Sequence, residues 1–172
     1  EKYPSYFDFY FKEMERKKLG LKSFNKDLSD GLYGLLFQLQ GDMTLVFRKL
    51  VKVLQEEKIE WSECFYNELG EVEKKKITSW IHHWLKELES QGQTVDGAIK
   101  LLRETNPVFI PRNYIVQESI EALIQGDEAP LRKLEKAIRH PYEWISETRE
   151  YFVKRPDWAK NKPGCSTLSC SS

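Results

Sequence analysis

Three cysteines and three histidines are the residues of this chain with the widest chemical range, and Cys165 and Cys170 both lie in its final segment. The surrounding run, Gly164-Cys165-Ser166-Thr167-Leu168-Ser169-Cys170-Ser171-Ser172, is small and polar, a composition expected outside any hydrophobic core. A buried cysteine behaves as a small hydrophobe, whereas one on an accessible segment is defined by its reactivity. Two readings therefore stand side by side: a polar end with incidental thiols, and a redox-active thiol on a flexible arm. A loop closed between these two cysteines would be small, with a modest entropic gain, and the spacing alone does not choose. Use of the pair as a thiol oxidoreductase is disfavoured, because there is no Cys-x-x-Cys and no helix amino terminus to lower a thiol pKa.

The histidines offer less. His82 and His83 are adjacent, so on a helix their side chains diverge by about 100° and cannot share a metal as an i, i+4 pair does. His140 precedes Pro141 and reads as a helix terminator, with no nucleophile or carboxylate placed beside it by sequence. Gly31 and Gly34 sit inside a leucine stripe, and no glycine-rich turn leads from a strand into a helix with a following lysine, so no phosphate cradle is visible. Lys74-Lys75-Lys76 is flanked by acids and reads as a solvated face. The expected site list is accordingly short: no catalytic, cofactor-binding or metal-binding residue in the chain.

The elements that would position these groups read as helices throughout. Apolar residues recur at spacings of three and four, and no stretch sustains strand-like alternation, which predicts an all-α, irregular multi-helix assembly without a fixed repeat. Tyr3, Phe7, Tyr10 and Met14, widened by Tyr6 and Phe11, mark a helix over about residues 5 to 18 that stops at Gly20. Leu28, Leu32, Leu35, Leu36 and Leu39 mark a second, ended by Gly41-Asp42; Asp42 is placed to cap a third through Val46, Leu50, Val53 and Leu54. Ile77, Trp80, Ile81, Trp84, Leu85 and Leu88 form the longest stripe, and core packing is the expected role of most aromatic residues. Thr94 caps a helix through Leu102 that must stop near Asn106, because Pro107 disfavours helix in the residue before it. After the extended Val108-Phe109-Ile110, a helix through Ile124 ends at Gly126, and Asp127 caps another with Leu131, Leu134, Ala137 and Ile138 as its buried face. Pro141 is expected to open a last helix through Trp144, Ile145, Thr148 and Phe152. The segment from Ser62 to Gly70 has no clean helical start. The predicted organisation is a helical segment over residues 1–160 and a flexible cysteine-containing tail over 161–172.

Bulk properties fit one soluble unit of 172 residues, 40% apolar and 13% aromatic. Lys plus Arg and Asp plus Glu both number 27, so no net field draws the chain to nucleic acid or an anionic membrane. No apolar run approaches the length needed to span a bilayer, and Glu1-Lys2-Tyr3-Pro4 lacks the layout of a signal peptide. An odd cysteine count fits a reducing compartment, and a first residue other than Met is expected of a processed or excised piece.

Three blocks resemble the selenoprotein O family. They are Gly41-Asp42-Met43-Thr44 with Phe47-Arg48-Lys49-Leu50, then Asn106-Pro107-Val108-Phe109-Ile110-Pro111-Arg112-Asn113-Tyr114 followed by Gly126-Asp127, and the ending Arg155-Pro156-Asp157-Trp158-Ala159 with Gly164-Cys165 and Ser169-Cys170-Ser171-Ser172. The resemblance implies a kinase-like protein adenylyltransferase, which moves AMP from ATP, with Mg²⁺, to Ser, Thr or Tyr hydroxyls of protein substrates. Its phosphate-binding and metal-binding residues would precede this chain, leaving the carboxyl-terminal helical part, inactive by itself, with the amino-terminal kinase-like part of the same protein as its partner. The resemblance also places Cys170 where the family carries selenocysteine or cysteine, a residue that can form a disulfide with an activation-loop cysteine outside this chain; Cys165 is a second redox candidate without an assigned role. A cytoplasmic, bacterial-type member is implied, or a mitochondrial one if eukaryotic. The alternative is a stand-alone α-helical interaction module. The uses of Arg112 and Asn113 stay open at this stage.

Overall fold

The computed structural model describes residues 3–162 and residue 165. Among the described residues the chain is all-α: α1 (Tyr3–Lys18), α2 (Lys26–Gln38), α3 (Met43–Leu54), α4 (Glu71–Ser90), α5 (Val95–Thr105), α6 (Asn113–Ile124) and α7 (Ala129–Arg139). Three short 3-10 helices, Trp61–Cys64, Ser146–Tyr151 and Asp157–Lys160, and one isolated bridge between Gly41 and Phe65 complete it. Two compact units, Glu1–Asn106 and Pro107–Ser172, divide the chain at a bond inside the region read above as one helical segment.

In the first unit the apolar stripes do what their spacing dictates. α2 packs on α4, and α5 packs on both α3 and α1. Leu28, Leu32, Leu36, Leu45, Leu50, Ile77, Trp84, Leu88 and Leu102 are buried. The starts read at Asp42 and Thr94 hold, and Asn25 adds a third that was not read: each accepts a backbone N–H in the first turn, at 3.1, 3.1 and 3.0 Å, a contact contributing about 1 kcal/mol per cap. Trp80 and Trp84, one turn apart on α4, stack with centroids 6.1 Å apart. Their indole N–H groups donate to the carbonyls of Leu28 (3.0 Å) and Leu19 (2.9 Å), so the two largest core side chains also satisfy buried backbone. Gly20 ends α1 at φ +68°, where a Cβ would also stand 3.1 Å from the Ala98 carbonyl oxygen. The ambiguous segment becomes the 3-10 turn Trp61–Cys64, and Phe65 beyond it packs over Gly41, where a Cβ would come within 2.8 Å of the ring.

One expectation fails in this unit. The aromatic stripe of α1 is a helix face but not a core face: Tyr3, Tyr6, Phe7, Phe9, Tyr10 and Phe11 are all exposed. Only the carboxyl-terminal part of α1, with Glu15, is buried, and Leu19 follows it into the core.

In the second unit α6 and α7 form a hairpin through Gly126, whose φ of +86° requires glycine. Asp127 accepts from the Ala129 N–H at 2.9 Å, and Pro130 occupies the first turn of α7 as read. Leu134 and Ala137 are buried, but Leu131 and Ile138 are exposed, narrowing the expected face. The segment read as extended bends at Val108, so that the successive N–H groups of Val108 and Phe109 both donate to the Pro141 carbonyl (2.7 and 3.1 Å). The helix expected from Pro141 to Phe152 does not form. Residues 141–143 turn and bend instead, a 3-10 helix follows at Ser146–Tyr151, and Trp144 folds edge-on against Phe152, centroids 4.8 Å apart, a contact that a continuous helix would separate.

Candidate functional site

Cys165 is the one tail thiol among the described residues, and its position corrects the expectation that it lies outside a core. It is buried in a cluster with Phe109, Tyr114, Ile115, Leu134, Ala137 and Ala159, which gathers the segment before α6, both hairpin helices and the last 3-10 turn. Its N–H donates to the Lys162 carbonyl at 3.0 Å. Lys162 in turn fixes the segment to α6: its Nζ meets Glu121 Oε1 at 2.6 Å and lies 5.4 Å from the centre of the Trp158 ring. The shared hydrogen bond lowers the Glu121 pKa and raises that of Lys162. A polar-looking stretch is thus held at its start by one small apolar side chain and one ion pair. Cys170 lies outside the described residues.

The second family block is divided between two tasks. Asn106 is buried; its side-chain amide donates to the Lys18 carbonyl at the end of α1 (2.8 Å), and its own carbonyl accepts from Arg48 Nη1 (3.0 Å). Arg48 also donates to the Arg103 carbonyl (3.1 Å), so a guanidinium on α3 closes the carboxyl end of α5. Burial, then the nearby Arg103, pulls the Arg48 pKa below its ordinary value. Arg112 stands at the N-cap position of α6, its carbonyl accepting from Ile115 and Val116 N–H groups, and Asn113 begins the helix. Tyr114 is buried against Trp158 of the third block. The first block is architectural too: Asp42 caps α3, and buried Lys49 donates to the Glu60 carbonyl (2.9 Å) and Glu63 (2.5 Å).

Other candidates keep modest roles. His82, His83 and the Lys74–Lys76 run are exposed on α4, and His140 terminates α7 with Nδ1 3.2 Å from Glu143 Oε1. Cys64 is fully buried, and burial pushes its thiol up to about 12 against the pull of Lys49. Cys64 and Cys165 are both free thiols. A cleft of about 370 Å³ in the second unit is lined by Glu118, Asp127, Glu150 and Lys133 among others, but Lys133 is already paired with Glu150 at 2.5 Å, so its charge is unsuited to holding a polyphosphate. No group of three or more His, Cys, Asp or Glu residues able to hold a metal occurs among the described residues.

A family model described as protein adenylyltransferase SelO matches residues 1–139. The chain belongs to the SelO family. Similar curated proteins are the protein nucleotidyltransferases YdiU of Azoarcus sp. (strain BH72), 34% identical over 99% of this chain, and of Cytophaga hutchinsonii, also 34% identical over 99%. That of Tolumonas auensis is 36% identical over 90%. The alignments cover 34, 34 and 31% of those proteins, so this SelO-family chain spans about a third of the length of the curated relatives it matches. Among its described residues no helix is long and apolar enough to cross a membrane. What sequence reasoning missed within it is the structural use of the buried polar residues Glu15, Arg48, Lys49 and Asn106. Arg48, Lys49 and Asn106 were signalled by their places in the family blocks, and Glu15 was not.

Proposed function

We propose that this chain is the carboxyl-terminal helical portion of a protein adenylyltransferase, which braces a kinase-like lobe and carries a redox-sensitive thiol at Cys170. The observation that supports this best is the match of nearly the whole chain to about a third of nucleotidyltransferase relatives. AMP transfer from ATP to protein hydroxyls requires Mg²⁺ and cationic clamps on the phosphates. The donor sets of the described residues do not fit that requirement, so ATP, Mg²⁺ and the catalytic groups are assigned to the remainder of the enzyme. This chain, incubated with labelled ATP and Mg²⁺, should yield no adenylylated product, while the full-length protein should label itself or protein substrates. Labelling by the chain alone would overturn the assignment.

For the thiol, the buried Cys165 supports a tethered arm. Five residues onward, Cys170 reaches at most about 18 Å from that anchor. The latch is a disulfide between Cys170 and a cysteine in the kinase-like part, formed by exchange with a low-molecular-weight disulfide that leaves as two thiols. Full-length protein should show a redox-dependent mobility shift and activity change, both lost in Cys170→Ser.

A further inference from the structure

The side-chain and backbone ties of helix α1 to α2 and to Asn106 gather near its carboxyl end. Glu15 accepts from Ser29 Oγ and Tyr33 Oη, both at 2.7 Å, and the Lys18 carbonyl accepts from Asn106. The preceding turns, residues 3–12, are exposed on every side, and they carry the densest set of aromatic residues in the chain. Tyr3 is 77% and Tyr10 67% exposed. Tyr3, Phe7 and Phe11 stack in a ladder at 6.4 and 6.1 Å, and Phe9 meets Tyr10 edge-on at 5.3 Å. At roughly 200 Å² per ring, these side chains leave on the order of 700 Å² of apolar surface in water, more than a monomer commonly exposes in one patch.

We infer that this aromatic face of α1 is a docking surface for the kinase-like portion of the same full-length polypeptide; the inference rests on the proposed function. Most helical stability in proteins comes from packing of an apolar face rather than from propensity, and the face over residues 3–12 is exposed. The family-matched region includes α1, and relatives carry about two thirds of their length beyond what this chain covers, which supplies the missing support. The charged side chains within residues 3–12, Asp8 and Lys12, pair with each other on the side of the helix away from the aromatic arc. The complementary surface is therefore apolar. At 3.6 residues per turn the rings from Phe9 round to Phe11 occupy about 200° of arc, which suits a groove between elements rather than a single crossing helix. A second copy pairing along Tyr3, Phe7, Tyr10 and Met14 would have fewer than two heptads, short of the roughly three or four that sustain a coiled coil.

The test uses the full-length protein with Phe7 replaced by the photo-crosslinker p-benzoylphenylalanine. The expected product is an intramolecular cross-link, at monomer mass, to a peptide outside these 172 residues. A cross-linked dimer, capture within the 172 residues, or no capture at all overturns the inference. In parallel, the double variant Phe7→Ser, Tyr10→Ser should raise amide exchange over residues 6–12 at least about tenfold while α4 is unchanged, and equal rates would also overturn it. AMP transfer measured on the same unmodified protein separates the two claims. Labelling without capture at Phe7 sinks the docking surface alone, and capture without labelling sinks the enzymatic reading alone.

Discussion

Tyr114 and Trp158 meet edge to face, ring centroids 5.9 Å apart and planes at 87°. The first ring begins α6 and the second lies in the turn Asp157–Lys160, so two blocks that are distant in sequence close one core around Cys165. Edge-on aromatic pairs add about 0.5–1.5 kcal/mol beyond area burial. Because Trp158 is half exposed, Trp158→Ala should lower the stability of the second unit by about 1–2 kcal/mol, and Trp158→Phe by less. Thermal unfolding of the full chain, followed by near-ultraviolet dichroism, reads the difference.

Asn106 ties three helices through two bonds, and its loss leaves the Lys18 carbonyl without that donor in a buried place. Asn106→Ala should destabilise by about 1–3 kcal/mol. Arg48→Met, which removes the donor to the Arg103 and Asn106 carbonyls, should cost a similar amount. The double variant should lose less than the sum, since the two residues share one junction, and urea unfolding of the four proteins measures that shortfall.

Much of the first unit was legible because its helices obey local rules. The stripes of α2, α3, α4 and α5 name their buried faces, and Asp42 and Thr94 mark starts by side-chain chemistry that acts within three residues. What failed depended on distant partners. The spacing of Tyr3, Phe7 and Tyr10 specifies a helix face but not what covers it. Pro141 is suited to begin a helix, yet the Trp144–Phe152 contact and the backbone bonds to its carbonyl favour a turn and a 3-10 segment. Cys165 was misplaced because composition around it is polar, while its burial is set by Phe109, Tyr114 and Leu134, far back in the sequence. The uses of Arg112 and Asn113 stay open in the sequence, since no local pattern assigns them; both sit at the start of α6.

The three thiols should differ sharply in reactivity. Cys64 is fully buried with its pKa pushed up to about 12, so iodoacetamide at pH 8 should leave it unmodified in the native protein and alkylate it only in denaturant. Cys165 should be protected by the same burial, leaving Cys170 as the native label. The raised Cys64 value has a signed consequence. Its contribution to stability is intact below its ordinary value near 9 and is lost as pH rises from there toward 12. Cys64→Ala should flatten that part of the stability profile, read as the slope of the denaturation midpoint against pH, whatever the variant costs by leaving a small cavity.

Cys165 separates packing from redox chemistry. If it acts as an anchor, Cys165→Ala removes a small volume and should cost less than about 1 kcal/mol, whereas Cys165→Ser places a hydroxyl among apolar neighbours and should cost about 1–3 kcal/mol. The ion pair of Lys162 with Glu121 is partly exposed and screened by solvent, so Glu121→Gln should disturb the segment less than Cys165→Ser does. On the proposed latch, a weakened anchor would lengthen the tether to Cys170 and lower the effective concentration at which that thiol meets its partner in the full-length protein. Cys165→Ser should therefore shift the midpoint of the redox-dependent mobility change to more oxidising conditions while leaving the change itself intact, and titration against a glutathione buffer measures that shift. Complete loss of the change in Cys165→Ala, with stability preserved, would instead make Cys165 a member of the disulfide and overturn its role as an anchor.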